Sequence, residues 1–164
     1  GYLGPETVIS DAANAIYDAE PWLFALLTSR MHMVWLRAVG GKMKTDYRYS
    51  NTLVYNNFPV PPLTDQVKEA LTQRAFRVLD VREYHCEHTL AELYDADKMP
   101  ENLRQAHADL DIVLDRIYRR RPFDSDEERL RLLFDLYRQM TNQEAPAQQA
   151  PKPTRHSRRT RKVQ

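Results

Sequence analysis

The sequence predicts an α+β fold: a small strand-containing piece at residues 1–63, a mostly α-helical bundle at 64–142, and a disordered basic tail at 143–164. Three observations carry this. Residues 42–50 alternate cations with aromatics, the two-residue rhythm of extended backbone. From Thr64 to about Thr141, apolar residues recur every three or four positions, the rhythm of packed helices. Beyond that, Gln, Ala, Pro, Lys and Arg leave almost nothing to bury.

Taken in order, Thr7-Val8-Ile9 and Ala15-Ile16-Tyr17 flank the small polar residues 10–14 and read as two short strands with a tight connection. Residues 21–39 read as one helix. Pro21 suits its first turn and Gly40-Gly41 stops it. Leu23, Leu26, Leu27, Met31, Val34, Trp35 and Ala38 fall near one face. Arg30 and Arg37 share a side, where they can meet a common partner. Residues 51–63 look irregular, and Pro59, Pro61 and Pro62 mark the end of the first unit.

The helices that follow are amphipathic and joined by short links, which favours antiparallel packing. The first carries Val67, Ala70, Leu71, Ala75, Val78 and Leu79. Thr89-x-x-Glu92 is a capping box for a short helix through Tyr94. Pro100 opens the next, with Leu103, Ala106, Leu110, Val113, Leu114 and Ile117 as its apolar face, and Pro122 breaks it. Ser125-x-x-Glu128 is a second capping box, ahead of Leu130, Leu133, Phe134 and Tyr137.

Composition narrows the function. The 164 residues bound the chain at one domain, or one domain plus an appendage, and an opening Gly rather than Met is expected of a fragment or a cleaved product. The net charge of +1 hides a division: residues 151–164 hold six cations and no acid, so the body is about −5. Such a body repels a duplex unless its cations gather on one face. The tail reads as non-specific DNA attachment or an incidental end. The single cysteine, Cys86, permits no internal disulfide and suits a reducing cytosol. No signal peptide is visible, and the most apolar run, from Pro21 to Val39, is too short and too charged to span a bilayer.

Catalytic patterns are missing from the sequence. The glycines stand at 1, 4, 40 and 41, which builds no phosphate-cradling loop, and no nucleophile elbow or paired CxxC is present. His85-Cys86-x-His88 offers three ligands within four residues but lacks the second pair that structural zinc uses, so it reads as an exposed link between helices. Asn56-Asn57-Phe58-Pro59 superficially resembles the Asn-Pro-Pro-Tyr type motif of amino-methyltransferases, but Asn and Phe separate the first polar residue from Pro59.

The most informative stretch is residues 29–59. Between Arg30 and Arg48 it holds five cations and one acid, interleaved with Trp, Tyr and His. Such a mixture suits a nucleic-acid surface, where cations meet phosphates and rings meet sugars and bases. Arg30 and Arg37 read either as phosphate ligands or as partners of acids such as Asp11 or Asp18. His32, in an apolar helix, reads as a satisfied core histidine, and Trp35 as core. Tyr47 and Tyr49 are divided between packing in the core and touching sugar, and Asn56 and Asn57 between capping loop backbone and reading adenine.

The order Ser29, Arg30, His32, Trp35, Arg37, then Gly41-Lys42, Tyr47-Arg48-Tyr49-Ser50 and Val54-Tyr55-Asn56-Asn57-Phe58-Pro59 resembles the MmeI-like (type IIL) restriction–modification methyltransferases. Thr89 to Asp95, Met99-Pro100, Leu103-Arg104, Ala106-His107, Leu110-Asp111 and Asp126 to Leu130 resemble the terminal helical domain of the same family. The likeness spans roughly residues 5–140. It implies that residues 1–63 end a target-recognition domain and that 64–142 form the C-terminal helical domain. It also implies a bacterial, cytoplasmic parent that methylates adenine N6 in double-stranded DNA. The upstream domain of that parent would bind S-adenosylmethionine and carry the catalytic motif, leaving this chain non-catalytic with no cofactor of its own. By the resemblance, the residues just before Tyr-Arg-Tyr help read bases, which here are Lys44 and Asp46, with Arg48 beside them. Alternate residues of one extended segment share a face. Lys donates to guanine O6 and N7 while Asp accepts from cytosine N4. Arg30, Arg37, Lys42 and Tyr47 are the expected DNA-backbone contacts, and the turn around Ala12 a weaker candidate for the same groove. The alternative is a helical interaction module that docks on the parent methyltransferase without reading DNA.

Overall fold

The structure, a computed structural model, describes residues 3, 4, 6–10, 14–43 and 46–144, with backbone alone at 42, 43, 46, 143 and 144. The elements in chain order are α1 (Pro21–Thr28), α2 (Arg30–Val39), β1 (Gly41–Met43), β2 (Asp46–Arg48), a π-helical turn (Asn51–Tyr55), α3 (Asp65–Tyr84), α4 (Leu90–Leu93), α5 (Glu101–Tyr118) and α6 (Asp126–Glu144). The α+β prediction holds, with helix dominant.

Residues 21–39 form two helices rather than one. The break is Ser29, whose extended backbone (φ −71°, ψ 157°) ends α1 and opens α2. Its hydroxyl serves both ends: Oγ donates to the Leu26 carbonyl at 2.7 Å and accepts from the His32 amide at 3.2 Å. A serine that satisfies orphan groups on both sides makes the break stable. The first amide of α2, that of Arg30, donates to Asp111 Oδ1 at 2.8 Å, placing a carboxylate at the positive end of the helix.

The two strands expected within residues 6–19 do not form. Among the described residues, 6–10 and 14–20 show only turns and irregular backbone, and Val8 stays 95% exposed. β-branched residues favour a strand only where a neighbouring strand accepts their backbone groups, and the described residues provide none. Asp18 adopts φ 51° in a turn, which a short polar side chain tolerates.

The extended region is a hairpin. β1 pairs antiparallel with β2 in the register Gly41–Arg48, Lys42–Tyr47 and Met43–Asp46. Residues 51–63 are less irregular than expected, since a π-helical turn opens them. Ser50 caps this turn, and the Asn57 side-chain amide donates to the Thr52 carbonyl at 2.7 Å. Asn57 thus takes its backbone-capping role.

α1 packs on α3, α3 on α5, and α2 on both α5 and α6. Leu103, Ala106, Leu110 and Leu114 are buried along α5, and Leu71, Ala75, Val78 and Val81 along α3, as helical spacing requires. Ala25, Met31, Trp35, Val54 and Phe58 join the same core, so residues on both sides of the proline cluster share one apolar interior. Tyr118 reinforces that join by donating its hydroxyl to the Pro59 carbonyl at 3.0 Å.

The capping box at Thr89 and Glu92 forms reciprocally. The one at Ser125 forms by half: Ser125 Oγ accepts from the Glu128 amide, but the Glu128 carboxylate accepts from the Asp124 amide and pairs with Arg119 at 2.6 Å. A nearby guanidinium and a second amide outcompete the reciprocal arm. α6 runs to Glu144, two residues past the expected end of the bundle at 142; residues 145–164 lie outside the described residues.

Candidate nucleic-acid interface

The candidate residues lie on two adjoining elements, α2 and the hairpin that follows Gly40. Gly40 makes the junction tight: a Cβ there would stand 2.5 Å from the Leu36 carbonyl oxygen. The hairpin therefore leaves α2 at once.

The hairpin alters the expected geometry of the base-reading residues. One continuous strand from 44 to 48 would place Lys44, Asp46 and Arg48 on a single face. The chain instead reverses between Met43 and Asp46, so the two-residue alternation holds only within β2, where positions 46 and 48 share a face and 47 takes the other. Lys44 and the turn around Ala12 lie outside the described residues. Arg48 is exposed, and Tyr47, opposite Lys42 in register, is 43% exposed.

Arg30 and Arg37 do meet a common partner. Arg30 Nε lies 2.7 Å from Asp126 Oδ1, and Arg37 Nη1 lies 3.7 Å from Asp126 Oδ2. The acid comes from the first turn of α6, not from Asp11 or Asp18; Asp11 is outside the described residues. A contact across 96 residues of sequence leaves no local signal. Both arginines keep about half of their side-chain surface exposed. Arg30 spends its Nε–H on Asp126, Arg37 makes only the longer ion pair, and each guanidinium has further N–H groups to offer.

Beneath this surface α2 presents a row of polar handles to the segment after the hairpin. His32 is 1% exposed, and its Nε2 lies 3.0 Å from Tyr49 Oη. Trp35, also 1% exposed, donates Nε1–H to the Val54 carbonyl at 3.1 Å. Trp35 is a core residue, as expected; His32 is buried too but only half satisfied, because its Nδ1 has no hydrogen-bond partner. The spacing Ser29, His32, Trp35 is therefore a pattern of attachment: one residue caps α2, one holds Tyr49 and one holds the π-helical turn. The roles of the last two were hidden in the sequence because both partners lie 17–19 residues away.

Burial lowers the His32 pKa to about 4, and burial together with Arg82 lowers that of His107 to about 4. Both folded values lie below the ordinary 6.5, so the unfolded chain takes up protons that the folded chain refuses. Their contribution is full above pH 6.5 and is lost as pH falls toward 4. Asp111 opposes them, since burial raises it to about 6 against the pull of the Arg30 amide, so its protonation favours the folded state. With the partly exposed His107 discounted, stability is expected to fall by on the order of 2 kcal/mol between pH 7 and pH 4. Urea melts across that range test this, and a flat profile would contradict it.

Among the described residues, no three His, Cys, Asp or Glu side chains gather as a metal site requires. His85 instead shares a hydrogen bond with Asn102 at 3.0 Å, and Cys86 is exposed. A concavity of about 500 Å³ lies between α1 and the segment after the π-helical turn, lined by Trp22, Leu23, Leu27, Tyr55, Asn56 and Phe58, among others. This mostly apolar lining offers no carboxylate for ribose hydroxyls and no glycine-rich loop, so it does not fit S-adenosylmethionine. No helix among the described residues is long and apolar enough to cross a membrane.

The class follows from comparison. Residues 1–62 match the model of the MmeI target recognition domain, and residues 63–144 that of the MmeI C-terminal domain; the chain belongs to this family. Among curated relatives, DNA methyltransferase A of Bacillus subtilis (strain 168) is 48% identical over 141 residues, which is 86% of this chain and 16% of that protein. Among solved structures, the type IIL restriction–modification enzyme MmeI in complex with DNA matches with a TM-score of 0.73 and 39% identity, over 76% of this chain and 17% of that one. The chain thus spans about one-sixth of the length of these relatives.

Proposed function

We propose that this chain is the DNA sequence-recognition module of a bacterial, cytoplasmic adenine-N6 DNA methyltransferase of the restriction–modification type. The observation that supports it most is the match of residues 1–62 to the family's target recognition domain, the part that contains the hairpin with exposed Arg48. In this reading Lys44, Asp46 and Arg48 read base edges in double-stranded DNA. Lys42 and Tyr47 meet the backbone beside them, and Arg30 and Arg37 use their remaining N–H groups on phosphates while Asp126 holds them in place. The upstream domain of the parent binds S-adenosylmethionine, which supplies the methyl group, and this chain contributes recognition alone.

The test is single-molecule methylome sequencing of cells that express the full parent, wild type against Lys44→Glu/Asp46→Arg. The methylated motif is expected to change at one base pair, since a correct bidentate contact discriminates by about 1–3 kcal/mol. An unchanged motif with full activity would overturn the assignment. That outcome would favour a second reading, a helical module that docks on the parent without reading DNA. The joint pairing of Arg30 and Arg37 with Asp126 supports that reading, because it also serves the internal cohesion of the bundle.

A further inference from the structure

A two-stranded hairpin has too little packing to hold its own geometry. If β1–β2 presents side chains to DNA, the bundle must fix where it stands. Tyr49 directly follows Arg48, the last residue of β2. Among the described residues, its hydroxyl has one hydrogen bond, to His32 Nε2 at 3.0 Å. The His32 ring is held edge-on against Phe58, with centroids 4.6 Å apart, and its surroundings on α2 are closed to solvent.

The other ring nitrogen decides the tautomer. His32 Nδ1 is buried with no hydrogen-bond partner. An orphaned buried N–H is rarer and costlier than an under-used lone pair. The proton therefore sits on Nε2 and is donated to Tyr49 Oη, and the hydroxyl proton of Tyr49 turns away from the core.

We propose that His32 is a positioning residue for sequence recognition: its Nε2–H, donated to Tyr49, sets the depth and rotation of the strand that carries positions 46 and 48. This rests on the reading that the hairpin meets the bases. It assigns His32 a role that neither its burial nor its apolar neighbours would suggest. A leucine of similar size would fill the same space without fixing Tyr49.

The experiment uses the full-length parent and compares binding to its cognate site with binding to a site carrying one mismatched pair. The variants are His32→Leu, Tyr49→Phe, the double variant, and His32→Gln, whose amide can donate from a similar place. His32→Leu and Tyr49→Phe are each expected to reduce discrimination about tenfold, the usual worth of a buried hydrogen bond. The double variant should be no worse than either single one, as for two ends of one interaction. His32→Gln should restore part of the loss. Tyr49→Phe keeps the ring and its packing, so it decides the matter if His32→Leu does not fold.

Variants that melt at lower temperature yet keep the wild-type discrimination would overturn the proposal. The Lys44/Asp46 exchange separates the two failures. If that exchange changes the methylated motif while discrimination here stays intact, only the positioning role falls. If the exchange changes nothing, base reading falls and the positioning role falls with it.

Discussion

Replacing Asp115 with alanine is expected to destabilise the chain by about 3–5 kcal/mol. Arg129 is only 7% exposed. Asp115 grips it from two sides: Nε lies 3.2 Å from Oδ1, and Nη2 pairs with Oδ2. Asp126 adds a contact at 3.3 Å, and the Phe123 ring lies 5.1 Å from the guanidinium carbon. Without Asp115 the cation stays buried with only Nη1 engaged, on Asp126 and the Ser125 carbonyl at 3.3 Å each, and its desolvation is no longer offset. Removing both charges tests the cause. A double variant, Asp115→Leu with Arg129→Met, should recover most of the loss, because a well-packed apolar pair does as well as a buried ion pair. Urea melts supply the free energies. A loss below about 1 kcal/mol for Asp115→Ala would mean that water reaches Arg129.

The second large effect is expected at Trp35. Truncation to alanine should cost about 3–5 kcal/mol. The indole is 1% exposed and packs against Phe58, Phe134 and Tyr137 at centroid distances of 6.4, 5.5 and 5.7 Å. It thereby joins α2 to α6 and to the segment after the hairpin. Trp35→Phe separates packing from hydrogen bonding. It keeps most of the apolar contact but leaves the Val54 carbonyl unpaired, which costs about 1–3 kcal/mol. Equal destabilisation by Phe and Ala would show that the hydrogen bond dominates; no cost for Phe would show that packing does.

The helices were legible because their signals are local. Leu103, Ala106, Leu110 and Leu114 recur at helical spacing and are buried along one face of α5. Thr89 and Glu92 announce their capping box within four residues. The break at Ser29 was not legible, since Pro21 and Gly40 bracket a run that reads as one helix, and a serine inside it is ordinary until its hydroxyl finds partners on both sides. At residues 7–9, β-propensity implied a strand where no partner strand is present among the described residues. The site divides in the same way. Family order identified the stretch, and helical spacing put Arg30 and Arg37 on one side. Asp126 as their partner, Tyr49 against His32, and Arg129 against Asp115 are products of the fold, and no window of sequence contains them.

The hairpin has a consequence for how such a chain changes over time. Its strands pair with each other, and among the described side chains the buried interior draws on the helices, Val54, Phe58 and Phe123, with none of Gly41, Tyr47 or Arg48. A substitution at an exposed strand position therefore meets little opposition from folding. Altered side chains there can accumulate by drift, while the residues of the buried core stay under the stricter rule of the interior.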